Sequence, residues 1–436
     1  MRTVRIVISI ILIVLALGLL AFAAFFLFRA VPKAAQDPPG TLSSDQSFVG
    51  EAEEPPPETP ETPEEPEPEP EPSDPQPADD TEEAPSDTSD LTAQIQSYLA
   101  SMTQEEKIWQ LFITTPESLT GVNLATQAGD TTRAALAEKP VGGICYFAAN
   151  LVDREQTISM LSNTQSYAKT PLFLCVDEEG GRVSRVGSNE AMGVTHFEAA
   201  ADYGARADMA EVYQVGSALA QALSALGFNV DFAPVADVVT NPNNTEIGDR
   251  SYSDDPQVAA AMVSAMVEGL QRGGMVSCLK HFPGHGSTEN DTHEGKSVSN
   301  RTVEELRSCE WIPFQAGIDK GAAMVMVSHL TNANLSDLPS DLSAQVMTYL
   351  REDLGFQGLI VTDSHQMGAI TDYYESGEAA VLALQAGADM VLMPQDLQAA
   401  FDGVQAALAD GTLTQARIDE SVMRILAVKF SFGIIS

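Results

Sequence analysis

The sequence predicts an α/β fold, a (β/α)8 barrel preceded by a transmembrane helix and a disordered linker, and three observations support this prediction. Eight short apolar segments alternate with amphipathic segments through residues 91–436, as strands and helices do around a parallel barrel. Polar or charged residues directly follow most of the apolar segments, as they do at the functional rim of such barrels. A stretch of this size is ordinary for one barrel, so residues 91–436 are expected to form a single folded domain.

The eight apolar segments have strand length and no polar alternation, which is typical of parallel strands buried on both faces. The predicted strands are Trp109–Thr114, Val141–Phe147, Pro171–Val176, Phe228–Phe232, Met275–Leu279, Ala323–Val327, Leu359–Thr362 and Met390–Met393. Amphipathic segments between them are predicted to form helices of the outer ring. They include Met209–Leu226, Gln257–Arg272, Val303–Lys320 and Glu378–Ala386.

Residues 1–33 are predicted to form a membrane anchor. The run Ile6–Phe28 contains no charged residue, and at about 1.5 Å per residue it is long enough to cross the roughly 30 Å core of a bilayer. A cleavable signal peptide has a shorter apolar region. Because so few residues precede the run, we expect a single-pass protein of the cell membrane whose C-terminal domain lies outside the cell.

Residues 34–90 are predicted to form a disordered acidic linker. The stretch Gln36–Asp90 is rich in proline and glutamate and contains no lysine or arginine, so it has too few apolar residues to offset the entropy of ordering. The whole chain has a formal net charge of −39. Such a charge repels phosphates, so nucleic acid is excluded as a partner.

The four cysteines show no metal-ligand spacing. Cys145, Cys175 and Cys278 fall inside or beside predicted strands, so we expect them to be small buried hydrophobic side chains. Their positions argue against a disulfide framework, even outside the cell.

The densest cluster of titratable residues is the motif Lys280–Gly286, with Asp291 and His293 shortly after it. It follows the predicted strand Met275–Leu279, and loops at the carboxyl ends of strands usually carry the chemistry of α/β proteins. The other histidines also lie at predicted strand ends, apart from His196, which is predicted to be structural.

Several well-separated motifs resemble those of the glycoside hydrolase family 3 β-N-acetylglucosaminidases that consist of a single catalytic domain. The resemblance extends over residues 91–436, which would be the catalytic domain. The motifs that carry it are Asp177–Arg185, Asn229–Asp237, Gly248–Pro256, Lys280–Gly286 with Asp291–His293, and Leu359–Asp363.

The resemblance implies a retaining, two-step hydrolysis with Asp363 as the nucleophile. An aspartate suits this role because its carboxylate is ionised at neutral pH and needs no activating base. The implied acid/base is a dyad of Asp291 and His293 instead of the second carboxyl group that most glycosidases use. Histidine titrates near neutrality, so it can protonate the leaving oxygen and then deprotonate water.

By the same matching, five charged or polar residues would bind the terminal sugar through charge-assisted hydrogen bonds. They are Asp177, Arg185, Arg250, Lys280 and His281. The roles of His285, His329 and His365 stay open. His365 belongs to the run Ser364–Met367, which departs from the small and apolar residues more usual after the nucleophile.

The expected function is an exo-β-N-acetylglucosaminidase that acts on peptidoglycan-derived cell-wall glycans without a cofactor, a metal ion or an obligate protein partner. Three alternatives remain open. One is a β-glucosidase or a phosphorylase of the same family. Another is a metal-dependent barrel hydrolase whose ligands would be His281, His285, Asp291 and His293. The third is an inactive sugar-binding protein.

Overall fold

Eight parallel strands form a closed barrel in the computed structural model of this chain. The structure describes residues 87–288 and 297–436, without the side chains of residues 87–89. The predicted anchor, the linker up to residue 86, and both Asp291 and His293 therefore lie outside the described residues. Within the described ranges, no helix is both long and apolar enough to cross a bilayer.

The barrel strands follow one another around the barrel in chain order. They are β1 (Phe112–Thr114), β2 (Gly143–Cys145), β3 (Phe173–Val176), β4 (Val230–Asp231), β5 (Val276–Phe282), β6 (Met324–Val327), β7 (Leu359–Ser364) and β8 (Met390–Leu392). Strand β8 pairs with β1 through Phe112 with Val391 and Ile113 with Leu392, which closes the barrel. The predicted barrel fold is confirmed, and its strands are almost entirely buried, as their apolar composition requires.

Helices cover the outside of the barrel. Those described are Asp87–Ser101, Gln104–Gln110, Pro116–Thr120, Asp130–Glu138, Arg154–Tyr167, Ala200–Arg206, Met209–Ser224, Pro256–Arg272, Val303–Ser308, Trp311–Asp319, Ala344–Thr348, Gly368–Thr371, Ser376–Ala386, Leu397–Asp410 and Gln415–Ser431. Many begin at a side-chain cap; Asp208 and Asp255, for example, accept hydrogen bonds from backbone N–H groups of the first turn.

Beyond shifts of one or two residues at their ends, three of the predicted strands and helices differ from the structure. Trp109 and Gln110, predicted as strand, are the last residues of the helix Gln104–Gln110, and Leu111 is its C-cap. The start of this helix is fixed by a capping box between Thr103 and Glu106. The predicted helix Val303–Lys320 is two helices, because Cys309 takes a non-helical conformation (φ −140°, ψ −81°). Strand β5 extends to Phe282, so Lys280 and His281 belong to the strand and not to the loop after it.

Three of the four cysteines lie in β2, β3 and β5, where they are buried, as predicted. All four carry free thiols. The three buried cysteines pack in the core as small apolar side chains, and Cys309 is partly buried.

A buried lysine lies at the amino-terminal end of the barrel. Lys429, from the last helix, donates a hydrogen bond to Gln110 Oε1 at 2.8 Å, and its Nζ lies 4.9 Å from the centre of the Phe173 ring. Burial lowers the pKa of Lys429 to about 7. The amine is therefore partly uncharged near neutral pH, where a solvated lysine would be fully protonated.

This shift predicts a pH-dependent stability. Between pH 7 and its ordinary pKa near 10.5, Lys429 is protonated in the unfolded chain and deprotonated in the folded one, so stability rises with pH in this window. Lys429→Met removes the titrating group. We expect the free energy of unfolding of the wild type to rise from pH 7 to 9 relative to the variant, by about 1.4 kcal/mol per pH unit at most. Urea titrations at both pH values measure this difference.

The matched control is Lys320→Met, which removes an exposed lysine and should not reproduce the effect. Parallel pH profiles for the wild type and Lys429→Met would show that Lys429 does not lose its proton on folding.

Candidate active site

A cavity of about 410 Å³ opens at the carboxyl ends of the barrel strands. All the predicted site residues within the described part of the chain line it: Asp177, Arg185, Arg250, Lys280, His281 and Asp363. Apolar side chains such as Phe147, Phe232 and Met326 complete its walls. The structure therefore brings together residues that are far apart in the sequence. Asp291 and His293 lie outside the described residues, so their position relative to this cavity stays a prediction.

Lys280 is the central cation of the site. Its Nζ lies 2.8 Å from Asp177 Oδ1 and 2.6 Å from Glu179 Oε1, and its side chain is only 3% exposed. Burial alone would lower the pKa of Lys280, but the two carboxylates raise it above its usual range. The ammonium group therefore keeps its charge and divides it between two acceptors.

Glu179 is a site residue that the sequence motifs did not single out. Its two oxygens accept hydrogen bonds from Arg250 Nε and Nη2, both at 2.9 Å, in a bidentate pair. Burial would raise the pKa of Glu179, but Arg250 and Lys280 hold it well below its usual range. Glu246 adds a further contact, 3.2 Å from Arg250 Nη1. Arg250 is thus held rigidly by carboxylates at the cavity wall.

A short hairpin after β3 decides which of two adjacent glutamates faces the cavity. The segments Glu178–Gly180 and Val183–Ser184 pair antiparallel. Glu178 turns inward, is fully buried and accepts hydrogen bonds from backbone N–H groups that follow the hairpin. Since side chains alternate along a strand, Glu179 points the opposite way, toward Lys280.

The turn of this hairpin needs glycine. Gly180 has φ +84°, and a Cβ there would lie 2.5 Å from the carbonyl oxygen of Glu198. His196 contacts the same turn, with its Nε2 2.8 Å from the carbonyl oxygen of Gly181. His196 does not line the cavity, and its contact is with the backbone, in keeping with its predicted structural role.

Asp237 holds two histidines of the Lys280–Gly286 motif. Its Oδ2 accepts from His281 Nδ1 at 2.7 Å and from the His281 backbone N–H at 3.1 Å, and its Oδ1 accepts from the His285 backbone N–H at 2.6 Å. Burial would raise the pKa of Asp237, but its neighbour His281 lowers it. The bond to Nδ1 leaves the Nε2 edge of His281 toward the cavity, 3.4 Å from Arg250 Nη2.

Asp363 lies at the end of β7 and lines the cavity. Its Oδ1 accepts a hydrogen bond from the Ser364 backbone N–H at 2.7 Å. Burial would raise the pKa of Asp363, but its neighbours His329 and His281, together with this hydrogen bond, lower it to about 2. The carboxylate is therefore ionised at any physiological pH, as the predicted role of Asp363 as nucleophile requires.

Irregularities in two strands direct these side chains. The pairing register shifts between Leu279 and Phe282 in β5, and between Val361 and Ser364 in β7. Such shifts change the direction in which side chains leave a strand. They fall where Lys280, His281 and Asp363 enter the site.

The histidines whose roles stayed open fall into two places. His285 lines the cavity, and burial lowers its pKa. His329 and His365 lie together with Asp341, all three buried, and this group has three possible metal-ligand atoms within 4.8 Å of one another. This group is not the metal site that the sequence left open as an alternative. Of that site, the structure describes His281 and His285, and Asp237 holds both of them.

A sequence profile described as "Glycosyl hydrolase family 3 N terminal domain" matches residues 103–428, which is most of the chain. The chain belongs to glycosyl hydrolase family 3. The family predicted from the motifs is thereby confirmed, and with it the predicted enzyme class, a glycoside hydrolase.

Several similar proteins carry the name beta-hexosaminidase or beta-N-acetylglucosaminidase. A beta-hexosaminidase A of Pseudoalteromonas piscicida is 34% identical over 319 residues, covering 66% of this chain and 53% of that protein. A beta-hexosaminidase of Stenotrophomonas maltophilia (strain K279a) is 33% identical over 70% of this chain and 96% of its own length. A solved family 3 beta-N-acetylglucosaminidase from Paenibacillus sp. str. FPU-7 superposes with a TM-score of 0.72 at 34% identity, covering 77% of this chain and 63% of that one. The chain thus spans little more than half the length of the first of these relatives.

The hydrogen bonds of Asp237 predict a positioning role in the family 3 site. Asp237→Ala removes the acceptor that orients the His281 ring and the backbone at His285. Because a misplacement of about 1 Å can cost about 100-fold in rate, we expect kcat/KM on an aryl glycoside to fall by about that factor. Initial-rate kinetics measure the loss.

The matched control is Asp249→Ala, which removes a half-exposed carboxylate that pairs with Arg182, and it should change kcat/KM less than twofold. Equal kinetics for Asp237→Ala and the wild type would contradict the positioning role.

Proposed function

We propose that this chain is a retaining exo-β-N-acetylglucosaminidase that removes terminal N-acetylglucosamine from peptidoglycan-derived glycans. The observation that carries the proposal is the ionised carboxylate of Asp363, which lines the same cavity as the Lys280 and Arg250 cations. The names of the family relatives support the acetamido sugar as substrate.

In the first step, the Asp363 carboxylate attacks the anomeric carbon of the terminal sugar. A glycosyl ester forms as the bond to the leaving oxygen breaks. The protonated ring of His293 gives its proton to that oxygen, and Asp291 orients the ring and stabilises its cationic form. In the second step, neutral His293 takes a proton from water, and the resulting attack on the ester releases the sugar with its original β configuration.

The charged residues around Asp363 are suited to bind one sugar ring. Carboxylates such as Asp177 accept from hydroxyl groups, while Lys280 and Arg185 donate to them, and such bonds are strong in a site with little water. Ion pairs with neighbouring groups hold these side chains in advance, so less conformational entropy is lost on binding. A cavity of about 410 Å³ lies toward the lower end of the range for ligand sites, which supports removal of terminal residues rather than cleavage within a long chain.

We also propose that the run Ile6–Phe28 anchors the chain in the cell membrane with the barrel outside. The support is the length and apolarity of the run in the sequence. An extended linker with about 3.1 Å per residue would let the catalytic domain reach wall glycans at a distance from the bilayer.

The substrate test compares initial rates of the full-length chain on an aryl β-N-acetylglucosaminide and on the matching aryl β-glucoside. We expect the acetamido sugar to be cleaved at least 100-fold faster, since a site built to bind a polar group strongly rejects the analogue that lacks it. Asp363→Asn should reduce both rates by about 10⁴-fold or more. Preference for the glucoside, or sugar phosphate as product in phosphate buffer, would replace this proposal by another activity of the family. No cleavage of either substrate would favour a sugar-binding protein.

The role of His293 is tested through the leaving group. His293→Ala removes the proton donor, so we expect kcat/KM to fall much further for a substrate with a poor leaving group, such as chitobiose, than for a nitrophenyl glycoside, whose departure needs little protonation. His196→Ala, at an exposed histidine away from the cavity, is the matched control. Equal losses on both substrates would contradict the acid role.

A further inference from the structure

We propose that His329, Asp341 and His365 form a binding site for a divalent transition-metal ion of the Zn²⁺ class. His329 follows β6, Asp341 lies in the turn Ser340–Leu342, and His365 follows β7. Each of the three residues is at most 2% exposed. The site adjoins the carboxyl end of the strand that carries Asp363, but none of its members lines the sugar cavity.

The three ligand atoms have the spacing of one face of a coordination shell. His329 Nδ1 lies 3.1 Å from Asp341 Oδ2, and His365 Nε2 lies 2.9 Å from the same oxygen. All three atoms lie within 4.8 Å of one another. Zinc bonds of about 2.0–2.1 Å in a tetrahedral site place neighbouring ligand atoms about 3.3 Å apart. Small rotations of the rings are therefore enough to admit an ion.

The backbone around the cluster sets His329 in the form that a metal requires. His329 Nε2 lies 2.8 Å from the Ser364 carbonyl oxygen, which can only accept, so Nε2 carries the hydrogen. Nδ1 then faces Asp341 and is the ring atom that can bind a metal ion. Metal-binding histidines commonly donate their second N–H to a backbone carbonyl in this way.

The polar atoms of the cluster are poorly satisfied without a cation. His329 Nδ1 lies within ion-pair distance of Asp341 Oδ2. Among the described residues, His329 Nδ1, Asp341 Oδ1 and His365 Nδ1 have no hydrogen-bond partner. Buried polar atoms in such a state are costly, and one of the three, His329 Nδ1, is an atom to which an ion at this site would bond.

The donors and their charges indicate which ion would fit. Two imidazoles and one carboxylate suit Zn²⁺, Co²⁺ or Ni²⁺, whereas Mg²⁺ and Ca²⁺ prefer oxygen ligands. An ion of charge +2 with Asp341 leaves one positive charge, which the nearby carboxylate of Asp363 balances. The bound ion would join the ends of β6 and β7 to the turn Ser340–Leu342 and so help to hold the backbone beside the nucleophile. Metal binding itself does not depend on the proposed glycosidase activity.

The test is a metal titration of the full-length chain, purified without a histidine tag and stripped with EDTA. We expect one Zn²⁺ per chain by elemental analysis after dialysis, and visible absorption bands when Co²⁺ is bound. Zn²⁺ should raise Tm by about 2–5 °C, while Mg²⁺ and Ca²⁺ should not.

Two variants locate the ion. Asp341→Asn and His365→Phe should each weaken Zn²⁺ binding by at least about 10–100-fold, while His196→Ala, at an exposed histidine, should keep the 1:1 stoichiometry. Circular dichroism of the metal-free variants shows whether they fold. If a variant does not, the wild-type titration and the milder change His365→Gln still decide the question.

The proposal is overturned if the folded wild-type chain takes up no stoichiometric Zn²⁺. It is also overturned if Asp291→Asn or His293→Ala abolishes uptake while Asp341→Asn leaves it unchanged, because the ion would then belong to the catalytic loop. Stoichiometry is read without substrate, so a chain that binds Zn²⁺ but cleaves no glycoside would sink the proposed function and keep the metal site.

Discussion

The burial of the Lys280 ammonium group is the constraint around which the rest of the site is arranged. A lysine with a side chain only 3% exposed keeps its charge only if anions surround it. Asp177 and Glu179 meet that need, and Glu179 in turn is shared with Arg250. Each carboxylate is thus fixed by more than one partner before any sugar arrives, which leaves little reorganisation for binding or reaction.

Charge is balanced separately at the two ends of the barrel. At the opposite end, the buried carboxylate of Asp389 accepts hydrogen bonds from Arg351 at 2.6 Å and from Arg424 at 3.0 Å. Lys429, at the same end, is partly uncharged near neutral pH and donates to the neutral side chain of Gln110, just before β1. Neither group of contacts involves residues that line the sugar cavity. The division follows the general design of such barrels, in which one rim carries the chemistry and the other contributes to stability.

The barrel architecture could be predicted from the sequence because buried strands are recognisable as short apolar runs. The ends of the strands were harder to predict from the sequence. Strand β5 continues through Lys280 because its neighbouring strands, and not its own composition, decide where pairing ends. Among site residues, Glu179 was missed because nothing local distinguishes it from Glu178, and only the hairpin register separates the two. Asp237 was missed for a related reason, since its role depends on a histidine 44 positions away. The pairing of His329 and His365 with Asp341 likewise exists only once the strands are side by side.

Closure of the barrel by its first and last strands has a consequence for how the protein is made. Ile113 pairs with Leu392, so roughly 280 further residues must be synthesised before β1 can pair with β8. At about 5–20 residues per second, this synthesis takes tens of seconds. Throughout that interval, the edge of β1 is unpaired and open to other strands. The sheet therefore cannot close until the last barrel strand has been synthesised. A chain that ended before β8 would keep two unpaired sheet edges.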